Sequence, residues 1–272
     1  MTTTELSKLI YSKYGMVTRA RNCYLYTKKG IRLTDLFQEN GRAILGWHGG
    51  SAFTFFKNTL SKGLTGSFIC EDKSRLDKAI TKLFDNETKY NSRTVFTFSS
   101  KAEALKAGLM FSSQNTSVYS PWNQANIDYS KVDSIVMQPP LPWTQTIFLT
   151  AVKSSLINAN NLSDNKIELS NTISIPFALE TAITKSIYNL ISEIPLRQEK
   201  DWFIYDPVLT KYWTRKGPYL YPKMSEEKYN DFVKHCLECQ LIINPTYQMP
   251  SLIPFSADKG VFTKLKNNPF SF

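Results

Sequence analysis

The sequence predicts an α/β fold that gives way, from about residue 197, to a smaller α+β unit. β-rich runs at 94–98, 134–138 and 146–152 occupy the middle of the chain. Stretches with apolar residues at three-and-four spacing lie around them. Residues 197–272 alternate short strand and helix patterns. At 272 residues, with 42% hydrophobic and 13% aromatic content, the chain can bury a core in one or two domains without disulfides or metals.

Taken in order, Leu6, Leu9 and Ile10 stand at helical spacing, and Cys23–Tyr26 and Ile31–Thr34 flank a Lys28-Lys29-Gly30 turn as a hairpin. Ala52–Lys62 reads as a helix stopped by Gly63. Leu76, Ala79, Ile80, Leu83 and Phe84 mark the buried face of another, with Asp72 or Ser74 as its cap. Thr94–Phe98 is a strand running through Ser99-Ser100 into the helix-forming Lys101–Ala107, and Ser134–Met137 and Thr146–Val152 are further strands. Asn158–Asn171 is a polar loop. Leu179, Ile183, Ile187, Leu190 and Ile191 form the clearest helix, with Ser174 as cap and Pro176 in its first turn. In the final part, Trp202–Tyr205 reads as a strand, and Tyr229, Phe232, Val233, Cys236 and Leu237 stripe a helix opened by Ser225. Strands follow at Leu241–Ile243 and Leu252–Ile253, then a helix over Asp258–Lys266. The expected division is 1–50, 51–196 and 197–272.

The net charge is +10, but the lysines are spread singly and often neighbour acids, as in Glu71-Asp72-Lys73, so no nucleic-acid surface is expected from charge alone. The best nucleic-acid candidate is Lys211–Lys223, where basic and aromatic residues interleave. The competing reading is an extended arm that packs its rings on the body. No apolar stretch is long enough to span a membrane, and Met1–Glu5 lacks a basic region followed by an apolar one, so a cytoplasmic chain without membrane contact is expected. Four cysteines agree with a reducing compartment. Cys236-x-x-Cys239 beside His235 lacks further ligands with paired spacing, and Cys236 falls on an apolar stripe, so no metal is expected. With only His48 and His235, and no Gly-x-Ser-x-Gly, Walker A or Gly-x-Gly-x-x-Gly motif, hydrolase and nucleotide-phosphate readings are excluded.

Several segments, in order, resemble the class III pyridoxal-phosphate (PLP) aminotransferases, the group containing ornithine, 4-aminobutyrate and glutamate-1-semialdehyde aminotransferases. The hairpin Tyr24–Phe37, with Gly30, Arg32 and Asp35, resembles their opening element, and Leu45-Gly46-Trp47-His48 follows it. Phe55–Gly66 and Arg75–Phe84 resemble the two helices before the large domain. Thr94–Ala107 resembles its strand, phosphate loop and helix, and Ser225–Phe262 resembles the small domain. The resemblance implies an abbreviated three-layer PLP-transferase-like large domain with an α+β C-terminal small domain, a homodimer, and a small-molecule amine or amino-acid ligand.

The departures fall on the chemistry. The phosphate loop of that family contains glycine, where this chain has Ser99-Ser100-Lys101-Ala102-Glu103. Ser99 and Ser100 are the candidate cofactor-binding residues, and a plain helix cap is the competing reading. The strand that ends in Glu-Pro in relatives ends in Gln138-Pro139, and Asp133 stands before it, at the wrong end to meet a cofactor ring. Lys153 is the only lysine at the carboxyl end of a convincing strand. The expectation is therefore a shortened, degenerate aminotransferase-like protein with no catalytic lysine and no bound cofactor, acting as a binding or interaction protein. Two alternatives stand beside it. One is a compact PLP-dependent aminotransferase using Lys153 or another lysine, with Ser99 and Ser100 on the phosphate; the other is a single-stranded nucleic-acid binder using residues 211–223.

Overall fold

The computed structural model describes residues 1–66, 68, 74–85, 92–123, 127–159, 171–255 and 257–272. The loop expected over 158–171 lies largely outside them, as do Asp72 and Cys70. The first half of the chain runs α1 (Thr3–Tyr14), β1 (Val17–Arg21), β2 (Tyr24–Thr27), β3 (Arg32–Asp35), α2 (Ala52–Ser61), α3 (Ser74–Phe84), β4 (Arg93–Phe98), α4 (Lys101–Phe111), β5 (Thr116–Val118) and β6 (Ser134–Met137). The second half runs β7 (Phe148–Lys153), α5 (Ser154–Ala159), α6 (Phe177–Glu193), α7 (Lys200–Phe203), α8 (Asp206–Leu209), β8 (Trp213–Lys216), β9 (Tyr219–Pro222), α9 (Glu226–Glu238), β10 (Leu241–Ile242), β11 (Ser251–Leu252) and α10 (Thr263–Asn267). No helix among the described residues is long and apolar enough to cross a membrane.

The chain forms two compact units. One comprises Met1–His48, Trp122–Gln124 and Pro195–Phe272; the other comprises Gly49–Pro121 and Ala125–Ile194. The amino-terminal segment and the carboxyl-terminal part, separate in the sequence reading, thus share one unit. The link is a sheet ordered β1-β2-β3-β10, in which β10 runs parallel to β3 with Leu241 opposite Thr34 and Ile242 opposite Asp35.

Within this first unit α1 is fixed by a capping box, Thr2 and Glu5 each satisfying the other's backbone N–H, and it buries Leu6, Ile10 and Tyr14. The α9 stripe Tyr229, Phe232, Val233, Cys236 and Leu237 is buried throughout. Aromatic rings fill the core between them, with the Trp213 and Phe232 centroids 4.9 Å apart. Buried tyrosine hydroxyls donate to carbonyls: Tyr14 to Leu237, Tyr205 to Ala257 and Tyr229 to Asn244. Asp35 organises the exit from β3. Its carboxylate accepts from the Phe37 and Gln38 amides and from Trp47 Nε1 at 2.7 Å. That hold supports a turn in which Gln38, Glu39 and Asn40 all take positive φ before Gly41, a conformation costing about 1–2 kcal/mol per non-glycine residue. Burial outweighs these hydrogen bonds and pushes the Asp35 carboxyl up to about 6.

Three sequence readings change here. Trp202–Tyr205 is not a strand but the end of α7 and its turn into α8, because Trp202 and Tyr205 are buried while Phe203 and Ile204 are exposed, a three-residue spacing rather than an alternation. β1 carries no apolar alternation and was not anticipated; it is an edge strand exposed along its length. The last helix begins at Thr263 rather than Asp258.

Candidate functional site at the carboxyl edge of the second sheet

The second unit is built on a sheet ordered β4-β7-β6-β5. β7 is antiparallel to both β4 and β6, and β5 is parallel to β6, so β4, β5 and β6 point the same way and β7 is reversed. Alternation sets the faces. Phe98, Val136 and Phe148 meet Ala104 and Ala107 of α4, whose small residues let the helix lie close to the strands. Thr150 adds a hydroxyl bond to the Ala104 carbonyl. The free edge of β4 is closed by side chains and loop: Thr81 accepts from the Arg93 amide, Asp77 accepts from the Val95 amide, and the Ile173 amide donates to the Thr97 carbonyl.

In open α/β sheets, ligands meet the carboxyl ends of the parallel strands. At that edge β4 passes into Ser99 and Ser100, β5 into Tyr119 and Ser120, and β6 into Gln138 and Pro139. Ser100 is the N-cap of α4 and accepts from the Glu103 amide at 3.2 Å. Both serine hydroxyls donate to Glu103 Oε2, at 3.2 Å from Ser99 and 3.0 Å from Ser100. A carboxylate belonging to the helix itself therefore occupies the serine pair, at the positive end of the helix dipole where an anion is best stabilised. Among the described residues leaving these three strands there is no lysine and no carboxylate before α4; Lys101, the first residue of that helix, is exposed.

Lys153 is at the opposite edge. Because β7 is reversed, Lys153 pairs with Arg93 at the start of β4, while Phe148 pairs with Phe98 beside the serines. The length of β4, six residues at ~3.4 Å each, separates Lys153 from Ser99 and Ser100 by about 20 Å. One cofactor cannot touch both, which corrects the compact-enzyme alternative in its Lys153 form. Lys153 instead pairs with Asp133 at 3.2 Å, and Ser112 donates to the same carboxylate. Burial raises the Asp133 carboxyl, but the hydrogen bonds from Lys153 and Ser112 outweigh it and hold the group below the usual carboxylate range. Beside this pair, Arg93 and Asp85 form a fully buried ion pair at 2.5 Å, with Arg93 also donating to the Tyr129 and Val132 carbonyls. Sequence reasoning missed Arg93–Asp85; an arginine opening an apolar strand was its only signal.

The other sequence candidates resolve within the first unit. Residues 211–223 form the β8–β9 hairpin, whose Tyr212, Trp213 and Tyr219 rings are buried and Arg215 is paired with Asp206 and Glu199. Rings packed in a core cannot stack on bases, which leaves half-buried Tyr221 as the one ring of this segment open to the nucleic-acid alternative. Cys236 and Cys239 are free and buried, and burial pushes both thiols up. His235 Nε2 meets the Asn268 carbonyl oxygen at 2.8 Å. Among the described residues no group of three or more His, Cys, Asp or Glu side chains is placed to hold a metal.

The fold that these elements build is PLP-transferase-like. Superposition identifies the aminotransferases of this fold: ornithine aminotransferase from Plasmodium yoelii matches with a TM-score of 0.64 at 12% identity, over 98% of this chain and 97% of that chain. Acetylornithine aminotransferase from Elizabethkingia anophelis matches with a TM-score of 0.64 at 10% identity, over 98% of each. Ornithine aminotransferase from Toxoplasma gondii, a structure described as having partial PLP occupancy at its active site, matches with a TM-score of 0.63 at 9% identity, over 97% of this chain and 94% of that one. In sequence, the chain is 26% identical over 281 residues to an uncharacterised protein of Treponema pallidum, spanning 90% of this chain and 91% of that protein. It is 22% identical over 268 residues to an uncharacterised protein of Borreliella burgdorferi, spanning 94% and 90%. No family model matches the chain.

Proposed function

We propose that this chain is an aminotransferase-like protein that keeps the scaffold without PLP chemistry and works as a binding or interaction protein. One observation carries the reading: the carboxyl edge of the sheet presents Ser99 and Ser100 already bonded to Glu103, while Lys153 and Asp133 face each other at the other edge. The residues described at the carboxyl edge do not fit the cofactor. A phosphate there would have to displace or repel the Glu103 carboxylate, and an imine-forming lysine needs to stand within reach of the same edge. If Ser99 and Ser100 hold an anion, it enters by displacing Glu103. Cysteine usage supports a cytoplasmic setting, and we assign the chain a homodimeric state and a small amine or amino-acid ligand.

The test is the visible spectrum of the purified protein with and without added PLP, followed by borohydride reduction and peptide mass mapping. No lysine adduct at saturating PLP is the expected result. A stoichiometric adduct trapped on one lysine would overturn the reading and identify the catalytic group. Light scattering behind size exclusion checks the dimer, for which twice the chain mass is expected.

A further inference from the structure

Helices α2, α3 and α6 of the second unit line a groove of about 440 Å³, open to solvent where Phe55, Arg75 and Lys78 are exposed and within the size range of small-molecule sites. Its apolar walls are Phe55 of α2 and Phe177 and Tyr188 of α6. Among the described residues its charges are unbalanced: Arg75 and Lys78 come from α3 and Lys185 from α6, against Glu180 as the one carboxylate.

Two features of the lining ask for an occupant. Among the described residues Lys78 and Lys185 have no carboxylate partner, and half-buried Lys185 has its ammonium 5.4 Å from the centre of the Phe55 ring. Cations gathered around one groove repel one another, and an anion between them relieves that repulsion. The second feature is Thr184, only 9% exposed. Its helix neighbours Thr181 and Ser186 donate their hydroxyls to the Ala178 and Ile183 carbonyls. The Thr184 hydroxyl has no hydrogen-bond partner among the described residues and lines the groove. A hydroxyl that faces the groove in this way is free to donate to a ligand oxygen.

We propose that this groove binds a small amphipathic anion, with a phosphate or carboxylate head on Lys78, Lys185 and the Thr184 hydroxyl and an aromatic body against Phe55, Phe177 and Tyr188. Recognition is noncovalent, so the site stands or falls separately from any PLP adduct.

The probe is anilinonaphthalene sulfonate, an aromatic anion whose fluorescence rises in apolar sites. The expected result is saturable binding of one probe per chain, displaced by phenyl phosphate or by benzoate; the stronger competitor identifies the head group. Lys185→Gln is expected to weaken the probe about tenfold and Thr184→Val about threefold, the loss of one charge-assisted and one hydroxyl hydrogen bond. Lys185→Arg retains binding within about threefold, since it keeps the charge. The double variant Lys78→Gln/Lys185→Gln, checked for folding by circular dichroism, is expected to bind at least about thirtyfold more weakly. Unchanged affinity in the folded double variant would overturn the proposal. So would equal affinity for the neutral probe N-phenyl-1-naphthylamine, or failure of both competitors to displace the anion.

Discussion

At the amino ends of β4 and β6, the second sheet holds Arg93 against Asp85 and, through the end of β7, Lys153 against Asp133. At the carboxyl ends of β4, β5 and β6 it holds three serines, a tyrosine, a glutamine and a proline, with Glu103 folded back onto Ser99 and Ser100. One edge has spent its ionisable groups on holding strands and helices together, the edge where α/β sheets do no chemistry. Among the described residues the strand-end groups of the other edge are neutral, and a helix caps them. The comparison teaches that a titratable residue next to a strand says little about a site until the direction of the strand is known.

The largest effect that sharpens this contrast is expected at the charged edge. Asp85→Ala leaves the Arg93 guanidinium buried and unpaired, and is expected to cost about 3–5 kcal/mol in urea denaturation. Replacing both partners by apolar residues, Arg93→Met with Asp85→Leu, is expected to recover most of that loss, because the pair is costly to break and much less costly to replace. If the single variant costs under about 1 kcal/mol, the charged edge is not structural and the contrast fails.

At the neutral edge, Ser100→Ala removes the α4 cap and is expected to cost about 1 kcal/mol, read from the same denaturation curves. It should leave PLP titrations unchanged, since the hydroxyl serves the helix.

Lys153→Gln is expected to cost roughly 0.2–1 kcal/mol, as its pair with Asp133 is partly open to solvent. The pH dependence follows from the depressed Asp133 carboxyl. A folded-state pKa below the unfolded one adds stability above the ordinary carboxylate range, and that stability is lost as pH falls through the folded value. The difference between the native chain and Asp133→Asn should therefore narrow below about pH 4 in thermal melts. The smallest effect is expected from Ser99→Ala, within about 0.5 kcal/mol, because its single bond to Glu103 is exposed.

Local pattern made much of the fold legible. The β2–β3 hairpin, β4, β6, α6 and the α9 stripe all stand where periodicity put them, because each buries one face against a neighbour and so carries a regular apolar spacing. The turn at Gln38–Gly41 was missed, although Asn40-Gly41 is a pair that tolerates positive φ; its conformation is held by Asp35 and by Asn244, some 200 residues later in the chain. At the candidate site, Ser99 and Ser100 were found because a strand running through two hydroxyls into a helix is a local signal. That Glu103 bonds both serines, that Thr184 lines a groove and that Arg93 meets Asp85 are facts of packing that no spacing in the sequence records.

The sequence by itself determined the alternation of strands and helices, the resemblance to the aminotransferases and the absence of glycine between β4 and α4, but not the cap of α6, where Pro176 stands in place of Ser174. Only the tertiary structure decided that the two chain ends share a sheet through β3 and β10, that Tyr212, Trp213 and Tyr219 are core, and that β7 runs backwards. The reason is that a strand's two-residue apolar period is the same read in either direction. A sequence can mark where Lys153 leaves its strand, but only the pairing of β7 with β4 and β6 fixes which edge of the sheet it leaves from.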